Sequence, residues 1–277
     1  MRTILEPRYP GESRRVLRRV ETASATLEEV QYTRGFSVAS HAHDFASFIY
    51  VVDGVHWSGH SKGGEACAPR TVRFLPGGEP HENFFPVGSR CLQVELGRQI
   101  LPLAREHGPT LRVPGEVASP SAPRLGARLH RELCQRDDVS ALAVEELLLQ
   151  LLLAGADQRC PPRRSQTPAW LLRVREMLRE RATNHLTLTD LSRCAGRHPV
   201  QVSRQFHQHF GCTISRYVRQ VRVARAQNLL AVPRLTLAEI ALASGFSDQS
   251  HFTNAFHRLT GLTPHRYRLQ VSQRNEK

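Results

Sequence analysis

Residues 187–211 are TLTDLSRCAGRHPVQVSRQFHQHFG, and residues 236–261 are TLAEIALASGFSDQSHFTNAFHRLTG. The two segments share their apolar residues and glycines, at a shift of 49 residues near the start and 50 near the end. Each opens with Thr-x-x-Asp or Thr-x-x-Glu, the spacing of a capping box that begins a helix. A solenoid needs three or more such units. The sequence therefore predicts a duplicated helix-turn-helix.

The second helix of each copy is expected to have one polar side. Helical spacing places Val202 and Phe206 inward in the first copy, and Phe252 and Phe256 inward in the second. The expected outward residues are Val200, Ser203, Arg204 and His207, then Ser250, Thr253, Asn254 and His257. A helix that enters the major groove needs such a carboxylate-free side, because carboxylates repel phosphates. The alternative, a side that is merely solvated, normally mixes Glu with Lys.

Two residues at equivalent positions are the expected base contacts. The guanidinium of Arg204 can pair with guanine, and the amide of Asn254, 50 residues on, can pair with adenine. The other expected DNA contacts are Gln249, Ser250 and His251 at base edges, and Arg219 and Arg222 of the helix between the copies at phosphates.

The positive charge is concentrated in the same region. The 277 residues hold 38 Lys+Arg and 25 Asp+Glu, a net charge of +13. Residues 168–277 hold 17 of the cations and 6 of the anions, a net of +11, whereas residues 1–167 have a net of +2. This asymmetry indicates that one half of the chain meets a polyanion.

Residues 168–270 resemble the DNA-binding domain of the AraC/XylS family of bacterial transcription regulators. The resemblance is carried by Gly245-Phe246, by Phe252-Thr-Asn-Ala-Phe256 and by Gly261-Leu-Thr-Pro264-His-Arg-Tyr267, with weaker matches in the first copy. It implies a sequence-specific regulator that binds double-stranded DNA, works with RNA polymerase and forms a homodimer. His198 and Asn254 depart from the family pattern, which often has a serine and an arginine there.

The N-terminal half has a different sequence pattern. Between residues 20 and 112, short β-like runs alternate with Gly- and Pro-containing turns, which favours a sandwich or barrel. Gly35-x5-His41-x-His43 and Pro76-x-Gly78-x-x-His81 resemble the two motifs of the cupin barrel. The expected fold class is therefore α+β, with a cupin-like β-barrel plus helices followed by an all-α double helix-turn-helix.

The histidines His41, His43 and His81 are compatible with three alternative roles of the barrel. They could converge on a divalent metal, but the motif's glutamate should lie near Ser47 or Phe48, so we expect no bound metal and no cofactor. We favour a small-molecule effector pocket, and a barrel that only dimerises is the third alternative. The expected pocket residues are His41, His43, Tyr50, Trp57, Phe74 and His81.

We expect three regions: a sensor at 1–115, a helical dimerisation or interdomain segment at 116–160, and a DNA-binding domain at 168–272. Residues 141–154 are apolar on most sides of a helix, so that helix either lies between neighbouring elements or also meets a second subunit.

Other classes of protein fit less well. A cupin-type metalloenzyme fused to a DNA-binding module is the main alternative, and the missing glutamate argues against it, so we expect no catalytic residues. A basic membrane-surface protein would need a large amphipathic face. Neither an apolar signal-peptide core nor a Cys-x-x-Cys pair occurs, so we expect a cytoplasmic protein with reduced cysteines and no membrane partner.

Overall fold

The computed structural model describes residues 13–60, 63–98, 100, 113–135, 137, 139–154, 167–232 and 234–275. They fall into two compact units, one within Met1–Gln135 and Leu147–Cys160, the other within Arg136–Glu146 and Pro161–Lys277. The first unit is rich in strands and the second is helical, which confirms the expected α+β class. Within the described ranges, no helix combines the length and the apolar character that a membrane crossing requires.

The first unit contains two antiparallel sheets. One has the strand order β1-β2-β9-β4-β7-β10 and the other β3-β8-β5-β6. The strands are β1 (Arg14–Glu21), β2 (Ala25–Tyr32), β3 (Phe36–His41), β4 (Ser47–Gly54), β5 (His56–His60), β6 (Gly63–Cys67), β7 (Val72–Leu75), β8 (His81–Phe85), β9 (Ser89–Leu96) and β10 (Gly115–Glu116).

Apolar side chains of both sheets form part of the core of this unit. Val30 and Tyr32 of β2 pack with Val38 and Phe85 of the other sheet, and all four are buried. The rings of Tyr32 and Phe85 are stacked with centroids 3.9 Å apart. The period-2 alternation of the strands places these residues on inner faces.

Two helices follow the strands, α1 (Ala122–Cys134) and α2 (Ser140–Ala154). Helix α1 packs on the six-stranded sheet, where a Cβ at Gly126 would come within 2.4 Å of the Tyr50 ring. Along α2, apolar residues including Leu142, Leu148 and Leu151 are buried within the chain. This burial is compatible with both alternatives for α2, so the contact with a second subunit stays a prediction.

The second unit contains the two predicted helix-turn-helix copies. Helices α4 and α5 form the first copy, α7 and α8 form the second, and α6 joins them. The bounds are α3 (Ala169–Glu180), α4 (Leu188–Ala195), α5 (Pro199–Phe210), α6 (Ile214–Leu230), α7 (Leu237–Ala243), α8 (Gln249–Thr260) and α9 (Pro264–Asn275). Both predicted capping boxes form, from Thr187 with Asp190 and from Thr236 with Glu239.

Glycine is required at one turn of the second copy. Gly245 has φ +91°, and a Cβ there would lie 2.6 Å from the Cα of Thr183. Both the left-handed backbone and the close approach exclude a side chain. The phenylalanines that the sequence placed inward, Phe206, Phe252 and Phe256, are fully buried.

Residues 136–146 pack within the helical unit, so the expected segment 116–160 is divided between the two units. The Glu146 carboxylate accepts hydrogen bonds from the backbone N–H groups of Ile214 (2.8 Å) and Ser215 (3.0 Å) at the start of α6. Asp137 forms a two-pronged ion pair with Arg219 of the same helix, at 2.7 and 2.8 Å. Three charged groups thus attach this short segment to α6.

Candidate nucleic-acid interface

The solvent-exposed side of α5 differs by one position from the predicted side. Arg204 and His207 are exposed as expected, but Val200 and Ser203 are buried, with 8% and 5% exposure. The outward orientation predicted for these two residues is wrong. Helices α3, α4 and α6 all contact α5, and together they bury more of its surface than the side that carries Val202 and Phe206. The sequence pattern also missed Gln201 and Gln208, which are exposed on this helix.

The corresponding side of α8 is polar and accessible. Gln249, Ser250, Asn254 and His257 are exposed, as predicted, while Thr253 is half-buried. Asn254 is the sixth residue of α8 and Arg204 is the sixth residue of α5, so the two occupy the same position in their copies. Arg258 is also exposed. It aligns with Gln208 by the 50-residue shift, and this alignment is a sequence signal that could have identified Arg258 and Gln208 as exposed residues of the two helices.

The start of α8 is fixed by a side-chain cap. The Asp248 carboxylate accepts a hydrogen bond from the backbone N–H of His251 at 2.8 Å, and this bond lowers the pKa of Asp248. The ring Nδ1 of His251 lies 2.6 Å from the Ser247 hydroxyl. These contacts hold the first turn of α8 and leave the Nε2 edge of the half-buried His251 ring for a partner. By contrast, His198 begins α5 without a side-chain capping bond.

The two arginines predicted to contact phosphates, Arg219 and Arg222, have partners within the protein. Arg222 is 1% exposed, and its Nε donates to the backbone carbonyl of Ala182 at 2.5 Å. Its guanidinium carbon also lies 5.9 Å from the centre of the Phe246 ring. The predicted phosphate contact of Arg222 is therefore wrong, since a buried guanidinium cannot reach DNA.

Arg219 is likewise held within the unit, by Asp137. Burial alone would raise the pKa of Asp137, but the hydrogen bonds and charge of Arg219 outweigh it, and the pKa is lowered. Arg219 thus has a partner within the protein, and its phosphate contact stays a prediction. The exposed arginines include Arg197, in the turn before α5, and Arg216 and Arg225 of α6. Helical spacing groups these arginines on one side of α6, but it cannot distinguish arginines with protein partners from those facing solvent.

The first unit holds a cavity of about 520 Å³. His41, His43 and His81 lie in its wall, as predicted, together with Ser47 of β4 and Glu95 of β9. Ser47 and Glu95 are paired across the sheet, so their side chains share a face. A carboxylate therefore lines the cavity from the neighbouring strand, although the sequence has none at position 47 or 48.

The three histidines fit the requirements of a divalent metal. Their ring nitrogens lie within 4.8 Å of one another. Nδ1 of His41 lies 2.9 Å from the Ala39 carbonyl, and Nδ1 of His81 lies 3.1 Å from the Glu79 carbonyl. A carbonyl accepts only from N–H, so these contacts place the protons on Nδ1 and leave Nε2 as the ligand atom. Burial, with smaller contributions from the neighbouring histidines, lowers the pKa of His81 to about 4, so this ring is neutral at pH 7.

Three predicted pocket residues are not among those that line this cavity. Tyr50 and Phe74 face the opposite side of the six-stranded sheet, where Tyr50 contacts Gly126 and Phe74 lies 5.2 Å from Phe48. The Trp57 ring covers the backbone of its own hairpin, so that a Cβ at Gly59 would lie 2.1 Å from it. The pocket assignments of Tyr50, Trp57 and Phe74 are therefore wrong.

The alternation of side chains along β4 explains why Tyr50 lies outside the cavity. Ser47 and Ile49 of β4 point into the cavity, which forces Phe48 and Tyr50 to the other face. The residues that the sequence pattern missed include five polar ones on β2, β8 and β9. They are Glu28, Tyr32, Asn83, Gln93 and Glu95.

Comparison with known proteins supports the helical assignment. A family model described as "Helix-turn-helix domain" matches residues 191–270. The HTH-type transcriptional activator RhaR of Escherichia coli strain K12 is 44% identical over 72 residues, which are 26% of this chain and 26% of RhaR. The chain thus matches about a quarter of the length of these curated relatives.

Solved structures of DNA-binding domains and of a cupin superfamily protein are similar to parts of the chain. A transcriptional regulator from Chromobacterium violaceum, described as containing an AraC-type DNA-binding domain, has 28% identity and a TM-score of 0.36, over 38% of this chain and 93% of that one. The DNA-binding domain of AdpA in complex with a target DNA has 23% identity and a TM-score of 0.36, over 39% and 96%. A cupin superfamily protein from Desulfitobacterium hafniense has 14% identity and a TM-score of 0.29, over 34% and 84%.

The matched residues 191–270 run from α4, through α5 and α8, into α9. They include both glycine turns and all three fully buried phenylalanines on which the resemblance was based. Residues 191–270 thus match a helix-turn-helix domain, as the duplicated motif predicted.

Proposed function

We propose that this protein is a sequence-specific DNA-binding transcription regulator. The observation that carries the proposal is the pair of recognition helices, α5 and α8, each with an exposed polar side. Arg204 and Asn254 stand at the same position of the two helices, and both are exposed. Helix α6 has 17 residues, so it spans about 25 Å between the copies. This is comparable with the roughly 34 Å that separates successive major-groove segments on one side of DNA.

We assign base contacts to Arg204, Asn254 and Gln249, and a phosphate contact to Arg197. Replacement of Arg204 or Asn254 by Ala removes a bidentate base contact, and we expect it to cost about 1–3 kcal/mol on the selected site and to relax one base preference. Replacement of Arg197 by Ala should weaken binding to all sequences alike and flatten the salt dependence by about one unit.

Selection of bound duplexes from randomised DNA, with the full chain, tests these roles. Arg179→Ala is a matched control, because Arg179 is an exposed arginine of α3 that hydrogen-bonds to Tyr217. We expect this control to select the same sequences as the unaltered protein. Unchanged base preferences in both Arg204→Ala and Asn254→Ala, with folding intact, would contradict the assignment.

The proposed regulator responds to a small polar effector bound in the cavity of the first unit. Its wall carries carboxylates, amides and imidazoles, including Glu95, Gln93 and Asn83, which suit a ligand with several hydroxyl groups. A panel of polyols, sugars and hydroxy acids should contain compounds that raise the melting temperature and change DNA affinity. Ile49→Trp, which fills the cavity, should abolish both responses while the affinity for DNA without effector is retained.

Two further partners belong to this proposal. A homodimer and RNA polymerase fit a regulator of this kind, and the similar RhaR proteins are described as transcriptional activators. Sedimentation of the full chain at micromolar concentration should give the mass of two chains. A monomer at all concentrations, with and without DNA, would contradict the homodimer.

A further inference from the structure

A second cluster of metal-binding side chains lies where α1 packs on the six-stranded sheet. It consists of Glu29 from β2 and of His130 and Cys134 from α1, with all three ligand atoms within 4.8 Å of one another. His130 and Cys134 are four residues apart, so one side of the helix presents both of them to Glu29. A carboxylate, an imidazole and a thiol thus converge from two elements of the first unit.

The distances in the cluster approach those of a zinc site. Nε2 of His130 lies 2.9 Å from Oε1 of Glu29, and Sγ of Cys134 lies 3.6 Å from the same nitrogen. Zinc binds nitrogen and oxygen at about 2.0–2.2 Å and sulfur at about 2.3 Å, so neighbouring ligand atoms in a tetrahedral site lie roughly 3.3–3.6 Å apart. The cluster therefore needs to open by only a few tenths of an ångström between His130 and Glu29.

We propose that Glu29, His130 and Cys134 bind Zn²⁺ and leave its fourth position open to water or another ligand. The ion takes the place of the proton between Nε2 and Oε1. In the bound state the His130 ring carries a single proton, on Nδ1, and any further ring proton and the proton of the Cys134 thiol pass to solvent. Glu29 is fully buried, His130 is 21% exposed at its side chain, and Cys134 is exposed. The ion therefore enters from the side of Cys134.

Two arginines surround Glu29 and limit the affinity of the site. Arg18 pairs with Oε2, which leaves Oε1 to the metal, and Nε of Arg90 lies 3.7 Å from Oε1. The Arg90 side chain is 44% exposed, so it can move away when an ion binds. The carboxylate and the thiolate together carry two negative charges, and Arg18 continues to offset part of the first. One thiolate and one imidazole select zinc and similar metals over Mg²⁺ and Ca²⁺, which prefer oxygen ligands.

Cobalt tests the site directly, because Co²⁺ occupies zinc sites and absorbs in the near ultraviolet when a thiolate binds it. Titration of the reduced full chain with Co²⁺ should produce this absorption, and Zn²⁺ should remove it. The cluster of His41, His43 and His81 has no sulfur and cannot produce it. Cys134→Ser should abolish the absorption, whereas Cys212→Ser, a matched change at another accessible cysteine, should retain it. The absence of the absorption, or its survival in Cys134→Ser, would overturn the proposal.

Thiol labelling provides a measurement that needs no variant. Zn²⁺ should slow the alkylation of Cys134 by iodoacetamide several-fold, as quantified by mass spectrometry of peptides, and leave Cys194 and Cys212 unaffected. His130→Ala should lose this protection if its far-ultraviolet circular dichroism is unchanged. Equal labelling of Cys134 with and without Zn²⁺, or equal protection of all three cysteines, would also overturn the proposal.

Discussion

Glu146→Gln probes the attachment of residues 136–146 to the helical unit. The Glu146 side chain is 1% exposed, and its two oxygens accept from the N–H groups of Ile214 and Ser215 at 2.8 and 3.0 Å. These N–H groups are among the four at the start of α6 that have no partner inside the helix. Thr213 serves another of them, the N–H of Arg216, at 3.3 Å. Glu146 and Thr213 therefore cap α6 together.

The expected effect follows from these contacts. Glutamine has the same shape as glutamate, so its carbonyl oxygen can keep one bond, while its NH₂ group faces the other N–H and leaves it unpaired. A buried N–H without a partner costs about 1–3 kcal/mol. Loss of the negative charge at the N-terminus of α6 adds up to about 2 kcal/mol, and relief of the buried charge offsets part of this. We expect a decrease of about 2–4 kcal/mol in the free energy of unfolding of the helical unit.

The two tryptophans permit a selective assay. Trp57 lies in the first unit and Trp170 on α3, so Trp57→Phe leaves Trp170 as the only indole and as a reporter of the helical unit. Urea unfolding of the full chain in this background should show a lower midpoint for Glu146→Gln. With a slope of about 1–3 kcal/mol per molar urea, the decrease corresponds to roughly 0.7–4 M.

The neighbouring residue supplies a matched control. Glu145 accepts a single long bond, 3.4 Å, from the N–H of Leu188, and burial raises its pKa. Its charge is disfavoured in the folded state, so Glu145→Gln should change the free energy of unfolding by less than about 0.5 kcal/mol. Equal midpoints for Glu146→Gln and Glu145→Gln would refute the capping role of Glu146.

Three further predictions concern the helical unit. Asp137→Asn should lower the free energy of unfolding of this unit by about 1–3 kcal/mol above pH 5. This difference from the unaltered chain should shrink as the pH falls through the lowered pKa of Asp137, and urea unfolding from pH 7 to pH 3 would show it. Asp248→Ala removes the cap of α8 and should cost about 1 kcal/mol in the same assay, whereas Asp248→Asn should cost less. Arg222→Ala should lower the melting temperature while the salt dependence of DNA binding by the folded protein stays unchanged; a flatter dependence would restore its predicted phosphate contact.

The sequence predicted the helical unit well because its constraints are local. Capping boxes, glycines at φ > 0 and phenylalanines four residues apart each act within one or two turns of a helix. The partners of Arg219 and Arg222 are not local: Asp137 is 82 residues away from the first, and Ala182 is 40 residues away from the second. Spacing alone shows that an arginine lies on a polar side of its helix, but it cannot show which group already binds it.

The cavity was predicted less completely, for a related reason. The histidine motifs located three wall residues, but an aromatic residue type does not show which face of its strand a residue occupies, and Tyr50 and Phe74 lie on the face away from the cavity. Alternation along β4 from Ser47 would have placed Tyr50 on the opposite face. The carboxylate of Glu95 depends on the pairing of β4 with β9, a register that no motif in either strand specifies.

The two helix-turn-helix copies keep the same interior but have different exposed residues, and this bears on the DNA that they select. Phe206 and Phe256 are both fully buried at equivalent positions, whereas the exposed position two residues before them carries Arg204 in one copy and Asn254 in the other. Because guanidinium and amide groups prefer different bases, equal placement of the two helices gives unequal preferences. One chain should therefore select two different neighbouring sub-sites in a fixed order, and a homodimer should repeat that pair, not a single palindromic half-site.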